Sequence, residues 1–266
     1  MRLAWATDIH LNFVAPTEAE AFCRSVLDSG AEALLVAGDI AEAPSVTAWL
    51  RFIEERVQRP MFFVLGNHDY YRGSIADVRT RIQALVERSL RLRWLHQEDT
   101  ALPLTARTAL IGHGAWADGR YGDYANSAVV LNDHLLIPDF FGLDHWGRLR
   151  LMQVLAEEAA THARRLLPPA LESFEHVIFL THAPPFVEVC LHDGHFTDRY
   201  HLPHFSCKAV GDALYEIMSA RPDRALTVLC GHTHSAAEAR PLPNMRVIVG
   251  NAEYGRPTLQ SVLDIY

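Results

Sequence analysis

The chain has 266 residues, 49% of them hydrophobic, with a formal net charge of −8 at pH 7. That composition excludes a disordered chain, no apolar run approaches the ~18 residues a membrane span requires, and the acidic balance speaks against an extended nucleic-acid surface. The four cysteines, Cys23, Cys190, Cys207 and Cys230, form no C-x-x-C pair and read as small apolar filler in a reducing compartment.

Residues 2–7 read as a first strand, which leads to Asp8 and His10. These two polar residues interrupt any leader-like apolar stretch, so the expectation is a soluble, cytoplasmic protein. Thr17, with Glu20 three residues on, reads as the capping box of a helix that turns Phe22, Val26 and Leu27 inward. Residues 34–37 form a second apolar run, followed by Gly38 and Asp39. Ser45 is placed to cap a helix to about Val57, with Trp49, Phe52, Ile53 and Val57 near helical spacing. Pro60 then precedes five apolar residues, 61–65, a short run bounded by Pro and Gly and therefore a strand. Gly66 removes a Cβ where the backbone must turn, and Asn67, His68 and Asp69 follow at once. Ser74 caps a predicted helix to about Leu90, with Ile75, Val78, Ile82, Leu85 and Val86 inward. The order β-α-β-α-β predicts parallel strands joined by right-handed crossovers.

The middle of the chain changes character. Residues 107–111 look like a strand, but 112–147 mix Gly, Asp, Pro and aromatic residues without clear periodicity. Such a segment is either a functional loop or a surface excursion packed on its own aromatics. A helix follows over about 149–167, stopped by Pro168 and Pro169. Residues 177–180 form a strand that leads to Thr181 and His182, and a second irregular, His-rich segment covers 184–205. Residues 208–220 read as a helix, and 226–230, 246–249 and 259–265 as strands; the first of these leads to Gly231, His232 and His234. No repeat or linker marks a second domain. The expectation is one domain over 1–266, with irregular insertions at about 112–147 and 184–205.

Five strand-like runs thus end in Asp, Asn or His. Ligands gather outside the carboxyl ends of strands in α/β sheets. Singly, each residue has a plainer use: Asp8 and Asp39 could cap helices, Asn67 could serve a turn, and His182 could be structural. His232 and His234, two apart, point to the same side of an extended chain. Together the runs offer two Asp, one Asn and four His with no thiolate, a set that suits Mn, Fe, Zn or Co better than Ca. Two divalent cations held about 3.5–4 Å apart by such a set can lower the pKa of a bridging water.

Taken in order, Asp8-x-His10, Gly38-Asp39, Gly66-Asn67-His68-Asp69, His182 and Gly231-His232-Thr233-His234 resemble the calcineurin-like metallophosphoesterase superfamily, over residues 8–234. The resemblance implies an α/β fold, a two-sheet sandwich flanked by helices. It also implies a dinuclear-metal-dependent hydrolase that cleaves a small phosphomonoester, phosphodiester or nucleotide by attack of a metal-bridging hydroxide. One metal would take Asp8, His10 and His234, the other Asn67, His182 and His232, and Asp39 would bridge. His68 falls where the family keeps a non-ligand histidine near the leaving group, and Asp69 would orient it or fix its charge. Ile40, Ala41, Glu42 and Ala43 after Asp39, and Asp69 after Asn67-His68, depart from the protein Ser/Thr phosphatase pattern. A nuclease of the same superfamily and a non-catalytic metal-binding module remain as alternatives; the acidic charge and short C-terminal remainder oppose the first, and the intact ligand set opposes the second. Further candidates are Tyr71 and Arg72 for substrate phosphate, Asp118 and Arg120 at the mouth, His113, and His192, His195, His201 and His204. Oligomeric state stays open.

Overall fold

The computed structural model describes residues 1–192 and 194–266. Its strands are β1 (Arg2–Ala6), β2 (Ala33–Ala37), β3 (Met61–Val64), β4 (Leu92–Trp94), β5 (Leu102–Pro103), β6 (Thr108–Gly112), β7 (His176–Leu180), β8 (Leu191–His192), β9 (His195–Phe196), β10 (Ala225–Cys230), β11 (Ala237–Leu242), β12 (Met245–Val249) and β13 (Ser261–Asp264). One sheet has the order β13-β1-β2-β3-β4, the second β11-β12-β10-β7-β6-β5, and β8 and β9 form a small hairpin. From β1 to β4 the neighbours are parallel, as the alternation of strand and helix predicts. In the second sheet β6, β7, β10 and β12 are parallel.

Successive strand residues point to opposite faces, and this builds three apolar layers. Leu3 and Trp5 of β1 and Ala33, Leu35 and Ala37 of β2 meet Leu110, Ile178, Leu180 and Leu229 between the sheets. The intervening Ala4, Ala6, Leu34 and Val36 face the helices α1 (Pro16–Asp28), α2 (Val46–Val57) and α3 (Ile75–Val86). On the far side Val177, Phe179 and Val228 pack under α5 (His145–Ser173) and α6 (Lys208–Ser219). Strands covered on both faces read as unbroken apolar runs, which is why they stand out in the sequence. The two-sheet sandwich flanked by helices is therefore present.

Local details differ from the sequence reading. The helix expected to start from a Thr17 box begins at Pro16, with Ala15 in the cap position and no side-chain cap; proline at the first helical position presets the backbone angle instead. Ser45 turns its hydroxyl to the Glu42 carbonyl (3.3 Å) and does not cap α2. Ser74 does accept from the Asp77 N–H. The long helix α5 starts at His145, capped by Asp144 on the Gly147 N–H (2.6 Å), and continues through Pro168 and Pro169 to Ser173. A proline inside a helix costs ~3 kcal/mol or more. Leu166, Leu167, Ala170 and Leu171, buried against the second sheet on either side of the pair, offset that cost.

Among the described residues, the two irregular segments carry only short elements: α4 (Asp133–Leu136), four 3-10 turns and the β8–β9 pair. They are tied to each other instead. Gly119 N–H donates to the Pro203 carbonyl (3.0 Å), Asp123 N–H to that of Arg199 (2.7 Å), and Asp118 N–H to that of Ser206 (3.1 Å). No helix among the described residues is long and apolar enough to cross a membrane, and the four cysteines are buried and form no disulfide.

Candidate metal centre

Asp8, Asp39, Asn67, His182, His232 and His234 all lie just beyond the carboxyl ends of β1, β2, β3, β7 and β10, and His10 follows Asp8. Eight non-glycine residues among those described have a left-handed backbone, and five are here: Asp8 (φ 50°), His10 (41°), Asp39 (51°), His232 (72°) and His234 (55°). Each such residue costs about 1–3 kcal/mol. Strain concentrated in this way marks a place where side-chain direction outranks stability. It also replaces the extended geometry expected at His232 and His234: His232 turns to Asn67 and His234 to Asp8. Two glycines permit the crowding. A Cβ on Gly66 would lie 2.2 Å from Asp39 Oδ1, and one on Gly231 would lie 2.0 Å from Asp8 Oδ2.

The donors form two halves. In one, His234 Nε2 is 3.3 Å from Asp8 Oδ1 and 3.1 Å from His10 Nε2. In the other, Asn67 Oδ1 lies 3.0 Å from both His182 Nε2 and His232 Nδ1. Asp39 stands between them, with Oδ2 3.8 Å from His10 Nε2 and Oδ1 3.4 Å from His182 Nε2. Outer contacts select the tautomers. His182 Nδ1–H donates to the Ala37 carbonyl (2.9 Å), which leaves a lone pair on Nε2; His232 Nε2–H donates to the His204 carbonyl (3.2 Å), which leaves one on Nδ1. Two nitrogen lone pairs and an amide oxygen then meet at 3.0 Å with no proton among them. That arrangement is repulsive unless a cation joins it, so the residues fit a metal.

The charges agree. Burial, reinforced by the carboxylates of Asp8 and Asp69, pushes the Asp39 carboxyl well above its ordinary range. Burial opposes the charge of Asp8 as well, but the hydrogen bond from His234 and the His182, His234 and His10 rings hold it low. Burial lowers His10 to about 3 and His232 to about 4, and lowers His182 too, so these rings are neutral near pH 7, each with a nitrogen lone pair to offer. Asp8, His10, Asp39 and His234 offer ligand atoms all within 4.8 Å of one another.

His68 begins a 3-10 turn rather than an extended segment. Its ring lies 4.7 Å from that of His10 and stacks on Tyr71 at 4.2 Å. Its Nε2 is 3.9 Å from Asp39 Oδ2, and its buried Nδ1 has no partner. Asp69 does not orient it. The fully buried Asp69 carboxylate accepts the N–H groups of Ile40 and Ala41 on Oδ1 and of Gly66 on Oδ2, each at 2.9 Å. It clasps the Asp39 loop to the Asn67 loop; burial pushes its carboxyl up to about 7, against the pull of these donors. Asp69→Ala leaves three buried donors unpaired and is expected to destabilise the fold by at least about 1–3 kcal/mol, measured by urea unfolding.

Other candidates sit elsewhere. Arg72 pairs with Glu42. Asp118 is fully buried, bonded to Arg120 (2.9 Å) and to the Ala209 N–H (2.8 Å), and does not line the mouth. The His113 ring lies tilted between those of His96 (4.3 Å) and His162 (5.4 Å). His201 pairs with Asp198 at the surface, His195 is exposed, and His204 is buried; of these four, His192 borders the cleft. The sequence reading missed Asp133, whose Oδ1 accepts from Asn67 Nδ2 (2.8 Å) and Tyr71 O–H (2.7 Å), and Tyr254, whose ring lies 4.5 Å from His10. Neither carries a local signal, since partners so far apart in the chain leave no spacing to read.

A model of the calcineurin-like phosphoesterase family matches residues 1–236. No curated protein matches the chain by sequence. In fold it is similar to phosphopantetheinyl hydrolase (PptH) from Mycobacterium tuberculosis, with TM-score 0.65 and 16% identity over 97% of this chain and 94% of that one. It is also similar to TT1561 of Thermus thermophilus (TM-score 0.56, 15% identity, 94% and 88% covered) and to a dimetal phosphatase from Danio rerio (0.56, 12%, 94% and 87%). With the match running through both halves of the donor cluster, the chain belongs to the calcineurin-like phosphoesterase family and is a metal-dependent phosphoester hydrolase.

Proposed function

We propose that the protein is a dinuclear hydrolase of small esters that carry a single phosphate group. The observation that carries this reading is Asp39, whose two oxygens face the two donor halves. Asp8, His10 and His234 would hold one ion, Asn67, His182 and His232 the other, and Asp39 both; the N/O donor set suits Mn, Fe, Zn or Co. Two such ions, when bound, supply the positive charge that neutralises the phosphoryl oxygens and the Lewis acidity that activates water. The chain's own residues hold the donors in register, and His68 stands beside them to deliver a proton to the departing oxygen. The dimetal phosphatase in the same fold class lends the two-ion reading support.

The substrate class follows from the walls. An open cleft of ≈ 250 Å³ runs past Asn67, His68, Asp133 and the rings of Tyr71, Phe205 and Tyr254. Its described lining has no Lys or Arg, and Asp133 adds a negative group. A second phosphate would find no cation there, whereas a flat or apolar alcohol would find rings. The test is turnover by Mn-loaded protein of an aryl phosphomonoester, an aryl phosphodiester, a phosphopantetheinyl ester (the class named for the Mycobacterium tuberculosis neighbour), a cyclic nucleotide, a nucleoside triphosphate and single-stranded DNA. Single-phosphate esters are expected to exceed the triphosphate in kcat/KM by at least ~10-fold, equivalent to about 1.4 kcal/mol. Preference for the triphosphate or for DNA would overturn the charge argument.

A further inference from the structure

We propose that the two insertions position the ligands of one metal only, Asp133 through Asn67 and the His204 carbonyl through His232, and so set the affinity of that ion separately from its neighbour. The inference rests on the ligand assignment proposed above. Asp133 comes from α4 in the first insertion and is buried at 4% exposure. Its Oδ1 takes both the Asn67 amide N–H (2.8 Å) and the Tyr71 hydroxyl (2.7 Å), and Tyr71 O is itself 3.3 Å from Asn67 Nδ2. An amide held by its nitrogen must present its oxygen on the opposite side, and there lie His182 and His232. Without that hold, the Asn67 side chain can turn its NH2 toward the ring nitrogens, where it would donate to them and displace a cation. The hold is strong because the acceptor is a carboxylate.

The second insertion acts on the same half. His204, at 2% exposure, accepts the His232 Nε2–H on its backbone carbonyl and thereby fixes which nitrogen of His232 is free to bind. Among the described residues, the other half takes no such support. Asp8 is held by the Thr7 hydroxyl (2.6 Å) and the His232 N–H (3.0 Å), and the His10 and His234 rings pack on each other and on Tyr254. All of these come from outside the insertions.

The insertions are also joined beside the site. Ser127 Oγ–H donates to the Tyr200 carbonyl (2.8 Å), and Ser127 Oγ lies 3.4 Å from His204 Nε2. The ring of His134, the residue after Asp133, lies 5.7 Å from that of His204. Among the described residues, movement of one insertion therefore reaches the outer contacts of Asn67 and His232, two of the second ion's three side chains besides Asp39, and none of the first ion's.

The experiment is a Mn²⁺ titration of metal-stripped full-length protein, followed by calorimetry and by the paramagnetic signal of the bound ion, with thermal unfolding of each variant as a check on folding. Wild type is expected to take two ions. Asp133→Ala should keep one near wild-type affinity and bind the other about 10–100-fold more weakly, the usual cost of losing an outer partner of a metal ligand. Asp133→Asn, whose amide oxygen can still accept, should recover part of the loss and serves as the readout if Asp133→Ala does not fold. Two ions bound with unchanged affinity in both variants, or both ions weakened equally, would overturn the proposal. A wild type that takes one ion would instead remove the dinuclear reading on which it stands.

Discussion

Asp39→Asn is expected to release both ions and to lower kcat by more than ~10³-fold. Asp39 is 1% exposed, and both its oxygens are committed: Oδ2 toward His10, and Oδ1 toward His182 and the His68 N–H (2.9 Å). An amide of the same shape keeps the packing but removes the negative charge and puts an NH2 where one ligand oxygen stood. Loss of a single preorganised charge-stabilising donor costs about 10²–10³ in rate, and here two cationic positions weaken together. His10→Ala, in contrast, removes a ligand from one half and should retain the other ion. Metal content after exhaustive dialysis distinguishes the two. The metal-free proteins offer a second check. Burial and the carboxylates of Asp8 and Asp69 raise the Asp39 pKa, so ionised Asp39 destabilises the empty site. Because the folded-state pKa of this acid lies above the unfolded value, stability falls as pH rises past the unfolded value and goes on falling until the folded pKa is passed. Metal-free Asp39→Asn should therefore be no less stable than metal-free wild type at pH 7, and should lack that slope. A variant that loses metal and also unfolds more readily would point to misfolding, and one that holds two ions tightly would end the bridging assignment.

How much of this was legible in the sequence depends on range. The strands under the site were readable because both faces are buried, so residues 34–37 and 177–180 are apolar without a break. The seven donors were readable because each follows such a run within a few residues or stands two residues from one that does. What local pattern could not show was which contact wins between distant segments. Pro168 and Pro169 read as a stop, yet burial of Leu166 and Leu171 carries the helix past them. Asp69 is one residue from His68 in the chain, but the unpaired N–H groups of Ile40, Ala41 and Gly66 claim its oxygens. Residues 112–147 and 184–205 lack periodicity because they are held by backbone bonds to each other and by scattered core contacts, such as Trp116, Ile137, Phe140 and Val189, rather than by a regular apolar stripe. Asp133 therefore had no signature, although it decides which way Asn67 faces.

His68→Ala should keep both ions and lose about 10²–10⁴ in rate on esters with alkoxide leaving groups, the usual contribution of a general acid. It should lose much less on a nitrophenyl ester, whose departing oxygen needs little protonation. The ring is well placed for this: it borders the cleft, lies beside His10, and holds its Nε2 3.9 Å from Asp39 Oδ2. Its charge is the demanding part. Burial, together with the neighbouring His10 and His182 rings, lowers the His68 pKa to about 2, and Asp69, spent on backbone N–H groups, does not counter that. The imidazole is therefore neutral near pH 7 before substrate arrives, and the negative charge that raises its pKa must come from the phosphate ester itself. Two consequences follow. On an alkyl ester kcat should fall as pH rises through the pKa of substrate-bound His68, because the acid form is lost; His68→Ala should remove that limb, and the nitrophenyl ester should show little of it. Asp69→Asn, if it folds, should lower the rate on both ester classes by the same factor, since it loosens the Asp39 loop without touching the proton. Equal losses in His68→Ala on both esters would assign the ring to charge stabilisation of the transferred phosphoryl group, and loss of metal from that variant would make His68 a ligand.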